Sequence, residues 1–167
     1  MERREGRRRS FDPERIPFFT QRQLFLMQLC VNGVRSTGDL AYKMGISKDG
    51  VSAYIHDVTE RLEDRGIRPA TFRRAISESV RRGLIDTSEL PDKTDMELTD
   101  VETNLVAFIA VGYCEAYIRD RFSLTGESWK IVRKSLLTKL NVKNLNQVAA
   151  VGARELERAR TASGSHV

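Results

Sequence analysis

The sequence has few of the residues and none of the short motifs on which enzymes commonly depend. Its 167 residues include two histidines and two cysteines, and no P-loop, GxGxxG, GxSxG or HExxH pattern is present. Cys30 and Cys114 are isolated beside apolar segments, without a CxxC or a histidine cluster. They therefore predict small buried side chains rather than a disulfide framework or a zinc site. We expect a protein that is not an enzyme and has no cofactor or metal.

Long apolar runs are also missing. The longest, "LVAFIAVGYC" from Leu105, is far shorter than a membrane span, and "MERREGRRRS" lacks the apolar segment of a signal peptide. The 40% hydrophobic content is nevertheless enough for a core. We expect a globular cytoplasmic protein with no membrane partner.

Positive charge is concentrated at the two ends of the chain. The net charge is +5, and residues 1–10 carry five arginines against two acids. Residues 11–97 are nearly balanced, with 13 basic and 14 acidic residues, whereas residues 98–167 carry 10 against 7. This distribution fits a polyanionic partner, although charge alone only modestly favours nucleic acid.

Apolar residues recur with helical periodicity, and no convincing strand pattern appears, so we predict an all-α fold. Glycines mark most of the breaks between eight expected helices. The predicted helices span residues 20–32, 37–44, 48–64, 70–82, 99–111, 114–122, 126–140 and 145–160. The predicted organisation is a basic disordered arm (1–17), a first unit (18–83), a short acidic linker (84–97), a second unit (98–160) and a tail (161–167).

The two units align with one another as an internal repeat. "TQRQLFLMQLCVNG" from Thr20 matches "TDVETNLVAFIAVG" from Thr99 at an offset of 79. Residues 44–62 match residues 122–140 at an offset of 78, and residues 66–76 match residues 141–151 at an offset of 75. The offset changes where turns are predicted. A duplicated fold would show such slips, whereas chance similarity between helical hairpins is the alternative.

The segment "SLTGESWKIVRKSLLTKLNVKN", from Ser123 to Asn144, contains a predicted amphipathic helix with a charged side. Trp129, Leu136 and Leu140 fall on the core side, and Lys130 and Lys134 fall on the other. Thr125 is a suitable N-cap residue. Taken by itself, the charged side is most simply a solvated face.

Residues Leu98 to Val151 resemble the LuxR/GerE-type helix-turn-helix domain. The resemblance lies in "LTDVE", the glycine at 112 and "LTGESWKIVRKSLLTKLNVKNLNQVAAV". It implies a four-helix unit in which the third helix enters the DNA major groove and the fourth often forms a dimer contact. The base-reading positions that it implies are Lys130, Ile131 and Lys134.

Elementary chemistry is consistent with that implication. Lysine can donate to guanine O6 and N7, and an isoleucine can contact a thymine methyl group. Small hydroxyl side chains at a helix start and nearby cations suit phosphate oxygens. The phosphate contacts assigned in this unit are Thr125, Ser128, Arg133 and Lys139.

Four residues depart from the family pattern. Trp129 replaces a core valine, Val132 stands where histidine is common, Arg133 replaces a buried leucine, and Arg119 replaces a small alanine. Either arginine could extend its charge to solvent, pair with an acid or contact phosphate.

The first unit resembles the same domain more faintly, through "TQRQ", "DLAYKMGIS" and "GIRPATFRRAI". Its base-reading positions would be Ser52, Ala53 and His56, and its phosphate contacts Ser47 and Lys48. Asp49 and Asp57 flank this face, which has no lysine. A degenerate unit kept for packing or pairing is therefore an equal alternative to a second unit that reads DNA.

The arginines of "RREGRRR" lie in the arm, which we expect to be disordered when free. Arg7, Arg8 and Arg9 are assigned to phosphate or minor-groove contacts, with a solvated tail as the alternative.

The function predicted from these features is sequence-specific binding of double-stranded DNA by a bacterial or phage transcription regulator. A second copy of the chain and RNA polymerase are further possible partners that the sequence leaves open. The rival hypothesis is a protein-interaction adaptor on a helix-turn-helix scaffold that has lost DNA readout. Charge-driven coating of DNA without sequence preference is a third.

Overall fold

The computed structural model describes residues 17–92 and 97–164, and within these ranges it contains eight helices and no strand. The prediction of an all-α fold is confirmed for this part of the chain. Seven helices begin and end within two residues of their predicted limits. The helices are α1 (Gln21–Val31), α2 (Thr37–Met44), α3 (Lys48–Asp64), α4 (Phe72–Arg81), α5 (Asp100–Val111), α6 (Glu115–Arg121), α7 (Gly126–Lys139) and α8 (Leu145–Gly164).

The last helix continues to Gly164 rather than ending at residue 160. Its final turns are supported by ion pairs one turn apart, Arg158 with Glu155 and Arg160 with Glu157. Such pairs stabilise an exposed helix even where apolar periodicity has ended. The predicted tail therefore begins with further helix.

The first helices of the two halves, α1 and α5, both start with a capping box. Thr20 and Gln23 form a capping box at α1, and Thr99 and Glu102 form one at α5. In each, the threonine accepts a hydrogen bond from the third residue's amide and that residue's side chain accepts one from the threonine amide. The local sequence therefore fixes both helix starts, at positions that align in the predicted repeat.

The core centres on α8, which packs against both α4 and α5. Small residues let α8 approach closely: a Cβ atom added at Gly152 would lie 2.9 Å from both Ala110 Cβ and Val106 Cγ1. Ala75 and Ile76 of α4, the other helix that packs on α8, are fully buried. The buried apolar residues of both halves form one continuous cluster.

Each half also completes the end of the other half's first helix. Thr71, at the start of α4, donates from Oγ1 to the carbonyl oxygen of Gly112 over 2.8 Å. Correspondingly, Gln147 of α8 donates from Nε2 to the carbonyl oxygen of Val31 over 2.9 Å. Carbonyls at a helix end have no partner within the helix, so these bonds satisfy them across the two halves.

The described part of the predicted linker is held against both halves. Gln28 exchanges two hydrogen bonds with the backbone of Asp86, at 2.9 and 2.7 Å. Arg154 of α8 donates to the carbonyl oxygens of Thr87, Leu90 and Pro91. Ile85 and Leu90 are buried, so apolar side chains and one arginine fix the path of residues 84–92.

Across residues 17–92 and 97–164, none of the helices combines the length and the apolar character needed to span a membrane.

Candidate nucleic-acid interface

Helix α7 is anchored to the core along one side. Trp129 is only 2% exposed, and Leu136 and Leu140 are fully buried. Thr125 caps the helix by accepting from the Ser128 amide over 3.1 Å. The predicted apolar side and N-cap are therefore confirmed, and a short turn joins α6 to α7.

A buried carboxylate fixes the other end of α7. Glu102 accepts hydrogen bonds from Lys139 Nζ at 2.7 Å and from Ser135 Oγ at 3.2 Å. The hydrogen bond from Lys139, with further hydrogen bonds from Thr99, lowers the pKa of Glu102 from 4.5 to about 2. Lys139 thus joins α7 to the start of α5, and with its side chain 38% exposed it stays a predicted phosphate contact.

The opposite side of α7 presents the three predicted base-reading residues of the second half. The Lys130 side chain is 73% exposed, Ile131 is 70% exposed, and Lys134 is exposed. Lys130 forms an exposed ion pair with Glu127 at 2.8 Å. An exposed pair of this kind is weak, so the lysine can exchange its partner readily.

Beside this face lies a groove of about 800 Å³ between the two halves of the chain. Helix α7 forms one wall, and the other is built from the α1–α2 turn, α2, Ile55 of α3 and Phe72 of α4. The turn between α7 and α8, with the start of α8, completes the lining. Its cationic lining residues are Arg35, Lys130, Arg133, Lys134 and Lys143, and no acidic residue is among the described residues that line it. The groove is therefore a concentrated positive surface.

Most of this charge is not neutralised locally. Lys130 has Glu127, but the side chains of Arg35, Arg133, Lys134 and Lys143 form no ion pair with any residue the structure describes. Burial lowers the pKa of nearby Arg73, and the positive charge of Arg133 contributes in the same direction. Like charges held together around an open groove favour an anionic occupant.

The other predicted phosphate contacts near α7 differ in their surroundings. Thr125 and Ser128 are engaged with each other in the cap, where Ser128 Oγ also donates to the Thr125 carbonyl oxygen. Glu127 lies exposed in the same first turn, which opposes an anion at this helix start. Of the four contacts assigned here, only Arg133 lies in the groove.

Helix α3 presents a different surface. Ser52, Ala53 and His56 are exposed, but none of them lines the groove. His56 Nε2 lies 3.3 Å from Glu60, and Ser52 Oγ donates to the Lys48 carbonyl oxygen. The predicted phosphate contacts are placed at the helix start, where Ser47 caps α3 through the Gly50 amide and Lys48 is exposed.

The two cysteines have opposite environments. Cys30 is buried, and burial raises the pKa of its thiol to about 12. Cys114 is exposed, so the prediction that both are buried is wrong for it. It occupies the extended N-cap position just before α6 and lies outside the buried side of that helix.

The unusual arginines also resolve into specific positions. Arg133 is exposed and lines the groove, so it does not occupy the buried site of the family's leucine. Arg119 is half-buried, with its nearest acid Glu115 at 4.0 Å. Arg7, Arg8 and Arg9 lie outside the described residues.

Sequence reasoning missed two groove cations, Arg35 and Lys143. Arg35 lies in the turn before α2 and Lys143 in the turn before α8, and no motif connects these segments. The contact between the halves brings them together. Lys143 does lie within the stretch that resembles the family. The only sequence signal that marks it as a free cation is the lack of acidic residues near it in the chain.

No protein-family model, curated protein or solved structure matches the chain. The resemblance to LuxR/GerE-type domains therefore stays a prediction based on the quoted motifs.

Proposed function

We propose that this chain is a sequence-specific DNA-binding transcription regulator of bacterial or phage type that reads the major groove with α7. The observation that carries this proposal is the exposed face of Lys130, Ile131 and Lys134 on a helix whose other side is locked into the core. A base-reading helix needs such rigid placement because its side chains must meet base edges in a fixed register.

In this proposal the chain consists of two related helix-turn-helix units, α1–α4 and α5–α8. The paired capping boxes and the reciprocal contacts made by Thr71 and Gln147 support a duplicated arrangement. The two fourth helices meet within one chain, as α4 packs on α8. A single chain then provides the contact between fourth helices that the family often forms between two chains.

The chemistry of the α7 face suits a mixed base sequence. Lys130 and Lys134 donate to guanine O6 or N7, and Ile131 contacts a thymine methyl group. On binding, Lys130 exchanges Glu127 for a base or a phosphate. Because that pair is exposed, breaking it removes little stability.

The test begins by selecting bound fragments from random double-stranded DNA and sequencing them. Lys130→Ala and Lys134→Ala should each weaken binding to the selected site by about 1–3 kcal/mol, with a smaller loss on unrelated DNA. Lys43→Ala is the matched control, because Lys43 is an exposed lysine of α2 outside the groove. Affinities are measured by titration at fixed salt.

Two outcomes count against the proposal. Selection that returns no preferred sequence, with binding that depends only on salt, favours charge-driven coating of DNA. Equal losses on both duplexes for the two lysine variants mean that α7 attracts DNA without reading it.

A protein-interaction adaptor is the second candidate, and the surface of α3 is the observation that favours it. Asp49, Asp57 and Glu60 are exposed on this helix, and they would repel a phosphate backbone. RNA polymerase or another regulator is the partner class for such a surface. Charge reversal at Asp57 that leaves DNA binding intact but abolishes transcriptional activation would support this second role.

A further inference from the structure

We propose that the groove between the two halves holds the phosphate backbone of the same DNA duplex, with Arg35 and Lys143 as phosphate contacts. This inference rests on the proposed function of α7 and extends it to the first half of the chain. The first half then contributes a backbone clamp, through the α1–α2 turn, rather than a second reading helix.

The first argument is electrostatic. Arg35, Arg133, Lys134 and Lys143 surround one groove without an ion-pair partner among the described residues, and no acidic residue in the described chain lines it. Gathering like charges is unfavourable in the free protein and becomes favourable when an anion enters. A polyanion that contacts several cations at once fits this arrangement better than a single carboxylate.

The second argument is the position of the groove relative to the reading face. Lys130 and Lys134 are both exposed on α7 and line the groove, so the two surfaces share an edge. A helix in the major groove has a phosphate backbone on each side of it, because the two strands border that groove. The groove therefore lies where a bordering strand would pass.

The third argument is the chemistry of the remaining lining. Asn141 and Asn146 can donate hydrogen bonds to phosphate oxygens. Leu40, Ile55 and Phe72 provide apolar surface that deoxyribose carbons can contact. An acidic amphipathic helix of a protein partner would also find cations and apolar side chains here. The DNA strand is favoured because the groove continues directly into the exposed lysine face of α7.

The test measures how DNA affinity depends on salt in the full chain. Arg35→Gln and Lys143→Gln remove charge but keep much of the side-chain stem, which matters because Lys143 Cδ packs near Gly33. Each lost phosphate contact should reduce the slope of log affinity against log salt by about 0.9, and the double variant by about 1.8. The reduction should be the same on the selected site and on unrelated DNA.

Lys43→Gln is the control with the same change of charge outside the groove, and its slope should equal that of the unchanged protein. Circular dichroism and thermal unfolding establish that the variants are folded, as expected for two exposed side chains.

A double variant with the slope and affinity of the unchanged protein overturns the inference and leaves the groove for an acidic protein partner. A change in sequence preference also overturns it, because a phosphate contact carries no direct sequence information. The proposed function fails differently: the unchanged protein then selects no preferred sequence, whatever the groove variants do.

Discussion

Helices α7 and α3 align at the offset of 78 in the predicted repeat, yet their exposed faces carry opposite chemistry. Both begin at a hydroxyl N-cap, Thr125 and Ser47, and both are anchored by buried apolar side chains. The exposed face of α7 carries two lysines and an isoleucine, and it continues into the basic groove. The exposed face of α3 carries acids and the His56–Glu60 pair.

This difference shows that the residues anchoring each helix are separate from those that set its surface charge. The residues that fix each helix in place lie on its buried side, whereas charge on the outer side changes without disturbing packing. The first half therefore has a capped and anchored helix at the aligned position, without an exposed lysine face like that of α7. The predictions below compare equivalent positions of the two halves, in order of decreasing effect.

The largest difference in stability is expected at the buried residues that anchor α7 and α3 to the core. Trp129 and Val51 align at the repeat offset of 78, and both are buried. Trp129→Ala should destabilise the protein by about 3–5 kcal/mol, because it removes a large buried ring and leaves a cavity. Val51→Ala removes fewer carbon atoms and should have a smaller effect. Urea unfolding followed by circular dichroism measures both.

Trp129→Phe is the informative control. The Trp129 Nε1–H is buried without a hydrogen-bond partner among the described residues, so phenylalanine removes an unpaired polar group while keeping much of the apolar surface. Its destabilisation should be well below that of the alanine variant. If Trp129→Phe and Trp129→Ala lowered the free energy of unfolding equally, Nε1 would have a hydrogen-bond partner and the packing argument would be wrong.

The next difference concerns the glycines after α1 and α5. Gly33 and Gly112 both have positive φ, +91° and +95°. A Cβ atom at Gly112 would lie 2.6 Å from Thr71 Oγ1 and 2.7 Å from Arg74 Cβ, whereas at Gly33 the nearest atom is Lys143 Cδ at 3.1 Å. Gly112→Ala should therefore destabilise by about 2–4 kcal/mol through backbone strain and overpacking.

Gly33→Ala should be milder, by about 1–2 kcal/mol, because a flexible lysine can move away while the strain of positive φ remains. Thermal unfolding of the two variants under one condition measures the difference. If Gly33→Ala proved as damaging as Gly112→Ala, the α1–α8 contact would be as rigid as the α4–α5 contact.

The helices could be predicted closely from sequence because their signals are local. Apolar periodicity, N-cap hydroxyls and glycines lie within or beside each helix, and burial of Trp129 followed from the same pattern. Cys114 was mispredicted because its apolar neighbours belong to adjoining helices and it precedes α6 itself.

The arrangement between the halves was not predictable in the same way. The bonds from Thr71 to Gly112 and from Gln147 to Val31 join residues far apart in sequence. The groove lies between the α1–α2 turn and α7, which the packing of the two halves brings side by side. Periodicity predicts which face of a helix is buried, but it does not specify which helix covers it. The ion pair of Lys139 with Glu102 was likewise not predictable, because the two residues lie on different helices.

The smallest predicted difference lies in the two capping boxes, whose third residues are Gln23 and Glu102. Glu102 also accepts from Lys139, and its pKa is lowered from 4.5 to about 2 in the folded state. A carboxyl whose pKa is lower in the folded state stabilises that state when ionised. This stabilisation is complete above about pH 4.5 and is lost as the pH falls towards about 2. Gln23 does not titrate, so the first box contributes no such dependence.

Glu102→Gln keeps a capping side chain but removes the charge that Lys139 contacts, so it should destabilise by about 1–2 kcal/mol at neutral pH. The difference from the unchanged protein should shrink between pH 4.5 and 2, because protonation removes the same charge from the native residue. Urea unfolding at pH 7, 4.5 and 3 measures it, with Gln23→Ala as the variant whose effect should stay constant across this range. A destabilisation by Glu102→Gln that is the same at all three pH values would show that the carboxylate acts only as a cap, and that its contact with Lys139 does not distinguish the second half from the first.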